Sequence, residues 1–344
     1  MKLSLIAIPL VFSILSMVKN LNLSGDTGKY PDYVAEWTEV DHLIEKGLIE
    51  DAMSKVERLY ARAQSDKNHP QVYKCLLFLE NLGSQKDELQ LAGIIQRLES
   101  RLPNLLNPEN AMTRSVLGEL YFRMSGPQAN YRNGRSTISG VEQDSLDITT
   151  WSHESLLRKS NAYYLQSLQS EESKQSSLED YEAILTRTGG FAYCQTLHDV
   201  LLNRAIIHFS QAQSSLTDFE DGIPLKNRFA EMHDFLRTDC QGNTVLSLYQ
   251  QWLMQLQDKA DKRSMLSVDL SRLQYAMQIS GQDESADQLY RNALETLKRK
   301  TGNNEGKELV LQRLVEYFYA DGQKETEHEG NSYILANMLC NEAL

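Results

Sequence analysis

The chain has 344 residues, a formal net charge of −12 and a hydrophobic content of 41%. That length is enough for one large or two ordinary domains, and the apolar share is enough for a buried core. A strongly acidic surface repels phosphate backbones, so the composition argues against a nucleic-acid partner.

The first 25 residues are interpreted as a targeting segment. Lys2 supplies a minimal positive start, and Leu3–Val18 is an almost unbroken apolar run. The run is shorter than the ~20 residues of a spanning helix and fits the core of a secretory signal. Because no A-x-A-like cleavage site follows, residues 1–25 are predicted to be a signal peptide or an N-terminal anchor. The expected location is therefore periplasmic or outer-surface, with membrane contact only through this segment.

A first helical group is predicted over residues 29–124. Apolar side chains recur there at three- and four-residue steps, which is the period of an amphipathic helix. The runs are punctuated at Gly47, at the Asn68-His69-Pro70 stretch and at Pro103, where helices are expected to end or begin.

Residues 125–150 are predicted to form a long polar loop. A connection longer than ~12–15 residues is uncommon inside a compact domain. One interpretation is a solvated surface loop that closes off the first helical group. We also expect Trp151 to anchor the returning chain to the second helical group, with Arg135 and Thr137 making contacts inside the loop.

The second helical group is predicted over residues 151–344. Near its end Leu270 and Leu273 precede a glycine at position 281, and Ala286 and Tyr290 follow it. This spacing is typical of a tetratricopeptide-type (TPR) helix pair, in which small residues let two helices approach closely. The sequence therefore predicts an all-α fold of stacked antiparallel helix pairs, a TPR-like α–α superhelix. The helices predicted in this group are residues 151–168, a short one near 178–185, then 197–209, 244–256, 263–279, 283–300, 307–319 and 331–344.

Motifs that carry chemistry are missing from the sequence. It contains no nucleophile elbow, no H-E-x-x-H, no P-loop and no dinucleotide fingerprint. His198-Asp199 could form a base with an orienting acid, but no nucleophile has a matching context, and His208 is expected to be a buried structural histidine. The prediction is a non-enzyme with no catalytic, cofactor-binding or metal-ligating residues and no cofactor.

The cysteines and the clustered aromatic residues are also expected to be structural. The four cysteines are widely separated and form no CxxC pair, so a zinc site is not expected. They allow three disulfide connectivities, and buried free thiols are the alternative. Tyr163-Tyr164 and Tyr317-Phe318-Tyr319 lie at helical spacing, which favours packing over a stacking platform.

The order of several short motifs resembles the helical N-terminal region of alpha-2-macroglobulin-family proteins of Bacteroidetes-type bacteria. Each motif is short, and the resemblance rests on their order over nearly the whole chain after the first segment. The carriers are Trp37-x-x-Val40-Asp41, Asn68-His69-Pro70-Gln71, Asn133-Gly134-Arg135-Ser136-Thr137, Asp147-Ile148-Thr149-Thr150-Trp151, Leu178-Glu179-Asp180-Tyr181, Asp269-Leu270-x-Arg272-Leu273 and Tyr290-x-x-Ala293-Leu294.

The resemblance implies a part of a protease-inhibitor system of the cell envelope. Members of that family continue into β-sandwich macroglobulin domains, a bait region and often a thioester domain, which this sequence does not contain. Cys340-Asn341-Glu342-Ala343 departs from the thioester motif Cys-x-Glu-Gln in its last residue. The expectation is therefore a truncated or free-standing helical module without protease-trapping activity of its own.

Two functions are expected from these observations. The first is a non-catalytic scaffold or docking module whose partner is a protein of the cell envelope, such as macroglobulin domains or a protease system. The alternative is a free-standing TPR-like surface protein that binds a peptide or a glycan in a helical groove.

Overall fold

The computed structural model describes residues 31–86, 90–126, 147–181, 193–213, 222–259, 261–281, 283–302, 305–323 and 331–343. Every regular element in these ranges is a helix, and the β-type pairing found there is an isolated bridge between Ser177 and Thr196. The prediction of an all-α fold is confirmed. The predicted segment 1–25 lies outside the described residues, as do Arg135 and Thr137.

The chain divides into two compact units, Met1–Leu201 and Leu202–Leu344. The division falls within a helix, α8 (Leu197–Gln213). The earlier helices are α1 (Pro31–Glu45), α2 (Ile49–Ser65), α3 (His69–Lys86), α4 (Gln90–Arg101), α5 (Glu109–Ser125), α6 (His153–Ser167) and α7 (Glu171–Gln175), with 3₁₀ turns at Leu102–Asn104, Ile148–Thr150 and Leu178–Tyr181.

The second unit continues with two short and five long helices. They are α9 (Leu225–Arg228), α10 (Met232–Phe235), α11 (Thr244–Asp258), α12 (Lys262–Ile279), α13 (Glu284–Thr301), α14 (Lys307–Gly322) and α15 (Asn331–Ala343).

Helix α2 illustrates why these segments are helical. Its buried residues Ala52, Val56, Leu59 and Ala63 recur at steps of three and four, so they form one stripe on the helix. Before it, Gly47 adopts a φ of +72°, which a residue with a side chain rarely takes, and this turn ends α1. Sequential packing follows, with α1 against α2 and α2 against α3.

Polar caps fix the starts of the later helices. The Asn243 side chain accepts from the Leu246 N–H at 3.0 Å, and that of Asp261 accepts from the Ser264 N–H at 3.1 Å. The Asp283 side chain accepts from the Ser285 N–H at 2.7 Å. Each of these bonds satisfies one of the backbone donors that a helix start leaves unpaired.

The predicted TPR-like pair lies in the core of the second unit. Leu270 and Leu273 of α12 and Ala286 and Tyr290 of α13 are buried in one apolar cluster, and Met277 packs against it. Helices α11 to α15 each pack on the next, which is the predicted arrangement of stacked hairpins.

The division between the units differs from the one predicted at residues 125–150. Helix α6 returns to pack along α5, and the two share the first unit. The long connection therefore links two packed neighbours. Trp151 is correspondingly placed on the first group, because its ring stacks on Tyr121 of α5 at a centroid distance of 6.0 Å. Most of the predicted loop, residues 127–146, lies outside the described residues.

Candidate functional site

The histidines singled out in the sequence have structural surroundings. His198 is buried, and its Nε2 lies 3.2 Å from the Leu168 carbonyl oxygen. The Oδ2 atom of Asp199 accepts from the backbone N–H groups of Gln195 at 3.0 Å and Thr196 at 2.8 Å, at the start of α8. Burial lowers the pKa of His208 to about 4, with the charge of a nearby arginine acting in the same direction.

The aromatic clusters pack mostly against other helices. Phe318 is part of the core of the second unit, and the Tyr317 hydroxyl donates to Asp287 Oδ2 at 2.7 Å. Tyr164 lies against Gly118, whose backbone carbonyl also accepts from Ser160 Oγ at 2.6 Å. Tyr163 differs, because it lines a groove.

That groove has a volume of about 490 Å³ and is formed within the first unit by α4, α5, α6 and the 3₁₀ turn that follows α4. We call it the α4–α6 groove. It combines charged and amide side chains with an apolar side. The lining residues are Glu99, Leu102, Pro103, Leu105, Asn110, Arg114, Lys159, Ala162, Tyr163 and Gln166.

Glu99 already has several partners in the groove. Its Oε1 accepts from the hydroxyls of Tyr121 at 2.9 Å and Tyr163 at 2.6 Å, and Lys159 Nζ lies 3.8 Å away. Burial raises the pKa of both tyrosines, and the nearby carboxylate adds to that rise. Both phenols are therefore neutral donors at physiological pH.

Arg114 is held in the groove by neutral amides. Its Nε donates to Asn110 Oδ1 at 2.7 Å, and its Nη1 donates to Gln166 Oε1. Asn110 is itself fixed, because its Nδ2 donates to the carbonyl oxygens of Leu102 at 3.0 Å and Leu105 at 3.3 Å. The guanidinium is thus oriented without an acidic partner among the described residues.

A second groove, of about 270 Å³, lies beside the start of α3. His69 lines it, and its Nδ1 lies 2.5 Å from Oε1 of the buried Glu109. Burial raises the pKa of Glu109, and the neighbouring His69 opposes that rise. A carboxylate behind an imidazole is the arrangement of many general bases. The Ser176 hydroxyl of this groove donates to the Glu172 carbonyl oxygen at 2.8 Å, so it is already committed to the backbone.

Helix α15 presents an apolar face to solvent. Its opposite side, with Ala336 and Leu339, is buried in the core of the second unit. Ile334 is 59% exposed and Met338 is 62% exposed, one helical turn apart. We call the exposed set the α15 face; it consists of Tyr333, Ile334, Leu335 and Met338 of α15, together with Tyr319 of α14, whose ring centre lies 5.6 Å from that of Tyr333.

The α15 helix is fixed to its neighbours by charge and by close packing. Glu342 accepts from Lys298 at 2.6 Å and pairs with Lys307 at 3.2 Å. A Cβ at Gly322 of α14 would lie 3.0 Å from the ring of Tyr333, so the two helices approach closely there. These contacts hold the apolar face in a fixed position.

Residues from the sequence motifs form buried structural contacts. Trp37 Nε1 donates to Gln71 Oε1 at 2.8 Å, which joins the first motif to the second. Arg272 is fully buried; it donates to Asp269 Oδ1 at 2.7 Å and to the Arg228 and Ala230 carbonyl oxygens at 2.5 Å and 3.0 Å.

Sequence reasoning missed the α4–α6 groove and the α15 face. Glu99 and Tyr163 are 64 residues apart, so no local spacing joins them. The available signal was Arg114, a cation in a helix whose other positions are mostly buried. For α15 it was an apolar composition on all sides of a helix, which normally marks a covered one.

Among the described residues, no helix is long and apolar enough to span a bilayer, and no cluster of three or more His, Cys, Asp or Glu side chains could hold a metal ion. Comparisons of the chain with protein-family models, with curated proteins and with solved structures found no match.

Proposed function

We propose that this protein is a helical docking module that binds a protein partner through the α15 face. The observation that carries the proposal is the row of exposed apolar side chains on a helix whose other side is already buried. Contiguous exposed apolar patches are uncommon on soluble proteins and mark interaction sites. Exposed aromatic and methionine side chains are also enriched at protein interfaces.

The proposed partner belongs to a macroglobulin-like protease-inhibitor system of the cell envelope. The support is the ordered set of motifs together with the signal-like first segment. In this proposal the chain contributes no catalysis and no protease trapping; it positions the partner. The buried contacts of Trp37 and Arg272 fit that role, because they serve packing and leave the function to the surface.

The test is a quantitative pull-down from envelope extract of the source cells. The bait is the purified chain, and the retained proteins are identified by mass spectrometry. The Ile334→Lys/Met338→Lys double variant is compared with the wild type. We expect a macroglobulin-like protein on the wild type and its loss on the double variant, since two lysines would have to be desolvated at the interface.

Met254→Lys is the matched control. Met254 is also an exposed methionine on a helix of the second unit, at 47% exposure, but it is not part of the α15 face. It should retain the partner as the wild type does. The proposal would be overturned if every protein retained by the wild type were also retained by the Ile334→Lys/Met338→Lys variant. So would sedimentation showing that the face mediates only self-association.

A second candidate function is peptide binding, which the α4–α6 groove favours. Its volume of about 490 Å³ falls in the usual range of ligand pockets, about 300–1,000 Å³.

A further inference from the structure

The charge of the α4–α6 groove is opposite to that of the protein. Its described lining holds two cations, Arg114 and Lys159, and one carboxylate, Glu99. The formal charge of the whole chain is −12. A cationic groove on an acidic protein favours an anionic ligand, because the local potential decides which charge is stabilised in a partly desolvated site.

The two cations are not equivalent. Lys159 lies 3.8 Å from Glu99, which compensates its charge, and its ammonium is also 5.1 Å from the centre of the Tyr163 ring. Within the part of the chain that the structure describes, the hydrogen bonds of the Arg114 guanidinium go to two amide oxygens, one of Asn110 and one of Gln166. A guanidinium has five N–H donors, so most of them remain for a ligand.

The guanidinium of Arg114 is also oriented before any ligand arrives. The two amides hold it from α5 and α6, and Asn110 is tied to the backbone of the 102–105 turn. Fixing a side chain in its binding geometry removes part of the entropic cost of association. A planar, preorganised fork is suited to a carboxylate, which it can bind through two parallel hydrogen bonds.

The other lining residues indicate which chemical group of the ligand lies next to that carboxylate. Leu102, Pro103, Leu105 and Ala162 supply an apolar side to the groove. The ligand therefore combines an anionic end with an apolar group close to it. The open end of a polypeptide with an apolar last side chain has this combination.

We propose that the α4–α6 groove binds the free C-terminal carboxylate of a peptide whose last side chain is apolar, with Arg114 as the anion-binding group. This site lies in the first unit and the α15 face in the second, so it does not depend on docking through that face. It gives the peptide-binding candidate a defined substrate class and a defined binding residue.

The test uses fluorescein-labelled pentapeptides that end in leucine, valine, phenylalanine or alanine. Each is made with a free carboxylate and as the carboxamide. Binding to the full chain is measured by fluorescence anisotropy at low salt. We expect at least one free-carboxylate peptide to bind and its carboxamide to bind about tenfold more weakly or worse, which is the usual effect of losing a hydrogen bond to a charged group.

Arg114→Gln should weaken binding of the free-carboxylate peptide by about tenfold or more and leave the carboxamide unaffected. Arg158→Gln is the control, because Arg158 is an exposed arginine of α6 that pairs with Glu154 outside the groove. Arg114→Lys keeps the charge but not the fork, so an intermediate loss is expected even if the glutamine variant is poorly folded.

Three results would overturn the proposal. The first is equal binding of the carboxylate and carboxamide forms of every peptide. The second is binding that Arg114→Gln and Arg114→Lys leave unchanged. The third is the absence of binding by any peptide of the set. The Ile334→Lys/Met338→Lys variant should bind the peptide as the wild type does, which keeps this site separate from the docking function.

Discussion

At the scale of single residues, Arg272 of the second unit has four partners around its buried guanidinium. Its guanidinium spans from Asp269 on its own helix to the carbonyl oxygens of Arg228 and Ala230, and it lies 4.3 Å from the centre of the Phe235 ring. It therefore joins the α9–α10 segment to α12. The motif that contains Arg272 therefore stabilises the packing of the second unit.

We expect Arg272→Met to lower the free energy of unfolding by about 3–5 kcal/mol. The substitution leaves the buried carboxylate of Asp269 without its cation and removes the donor to two carbonyl groups. Urea denaturation at pH 7 measures the loss. Arg263→Met, on the same helix, is the control; Arg263 is partly exposed and pairs with Glu308 at 2.7 Å, so it should cost less than about 1 kcal/mol. Equal losses for the two variants would contradict this role of Arg272.

His208 is expected to make stability depend on pH. Its pKa in the folded chain is about 4, against an ordinary value of 6.5, because burial disfavours the charged imidazole. The unfolded state therefore binds more protons between these values. The contribution of His208 is complete above pH 6.5 and is lost as the pH falls towards 4.

The test compares the wild type with His208→Gln by urea denaturation at pH 7 and pH 4.5. Between these values the wild type should lose about 2–3 kcal/mol more than the variant, because glutamine does not titrate. Carboxylates titrate equally in both proteins and cancel in the comparison. Parallel losses would show that His208 is accessible to protons in the folded state.

At the scale of helices, the close contact of α5 with α6 depends on Gly118. A Cβ at this position would lie 2.7 Å from Cδ2 of Tyr164, which is closer than packed atoms approach. Tyr164 is buried, so its ring has little room to move. The absence of a side chain therefore sets the distance between the two helices.

The steric cost of Gly118→Ala is about 1–3 kcal/mol. Alanine usually stabilises a helix by about 1 kcal/mol relative to glycine, so the expected net loss in the free energy of unfolding is about 0–2 kcal/mol. Gly93→Ala, in α4, is the matched control, since its nearest neighbour is the flexible end of Arg97 at 3.4 Å. We expect Gly93→Ala to be neutral or stabilising. Thermal unfolding measures the change in stability of both variants. A change of the same sign in the two would refute the packing explanation.

The sequence predicts the long helices well and the short ones poorly. Helices α11 to α15 begin and end within three residues of their predicted bounds, because apolar periodicity and Asp, Asn or Gly caps mark them. The described part of the segment predicted near 178–185 is a 3₁₀ turn at Leu178–Tyr181, and residues 182–185 lie outside the described residues. The periodicity does not predict the short helices α7, α9 and α10. Elements of four or five residues have too few turns to show a period, so tertiary contacts decide them.

At the scale of the whole molecule, the predicted division between helical groups at residues 125–150 separates two helices that pack together. Helices α5 and α6, on the two sides of that segment, contact each other and lie in the first unit. The α4–α6 groove also depends on how these helices pack. Its residues come from α4, α5 and α6, and only the packing of these helices brings Glu99, Arg114 and Tyr163 into one place.

The whole chain should expose a single reactive thiol. None of the four cysteines forms a disulfide; Cys75, Cys194 and Cys240 are buried, and Cys340 is exposed. Burial raises the pKa of Cys75 to about 12, so its reactive thiolate is scarce at neutral pH. We expect 5,5′-dithiobis(2-nitrobenzoate) to titrate one thiol rapidly in the native protein and four in guanidinium chloride.

Cys340→Ser should remove the rapid phase and leave the three slow thiols unchanged. A second rapid thiol in the native protein would show that one of the buried cysteines is reached by local opening.

The position of Cys340 gives the chain a built-in reporter. It lies on α15, the same helix as Ile334 and Met338. Because the other three cysteines are buried, Cys340 can be labelled selectively without introducing a new cysteine. A nitroxide attached there would lose mobility when another molecule covers the helix, and its electron paramagnetic resonance line would broaden. Protection of the same thiol from alkylation would map that event inside living cells, where purified components are not required.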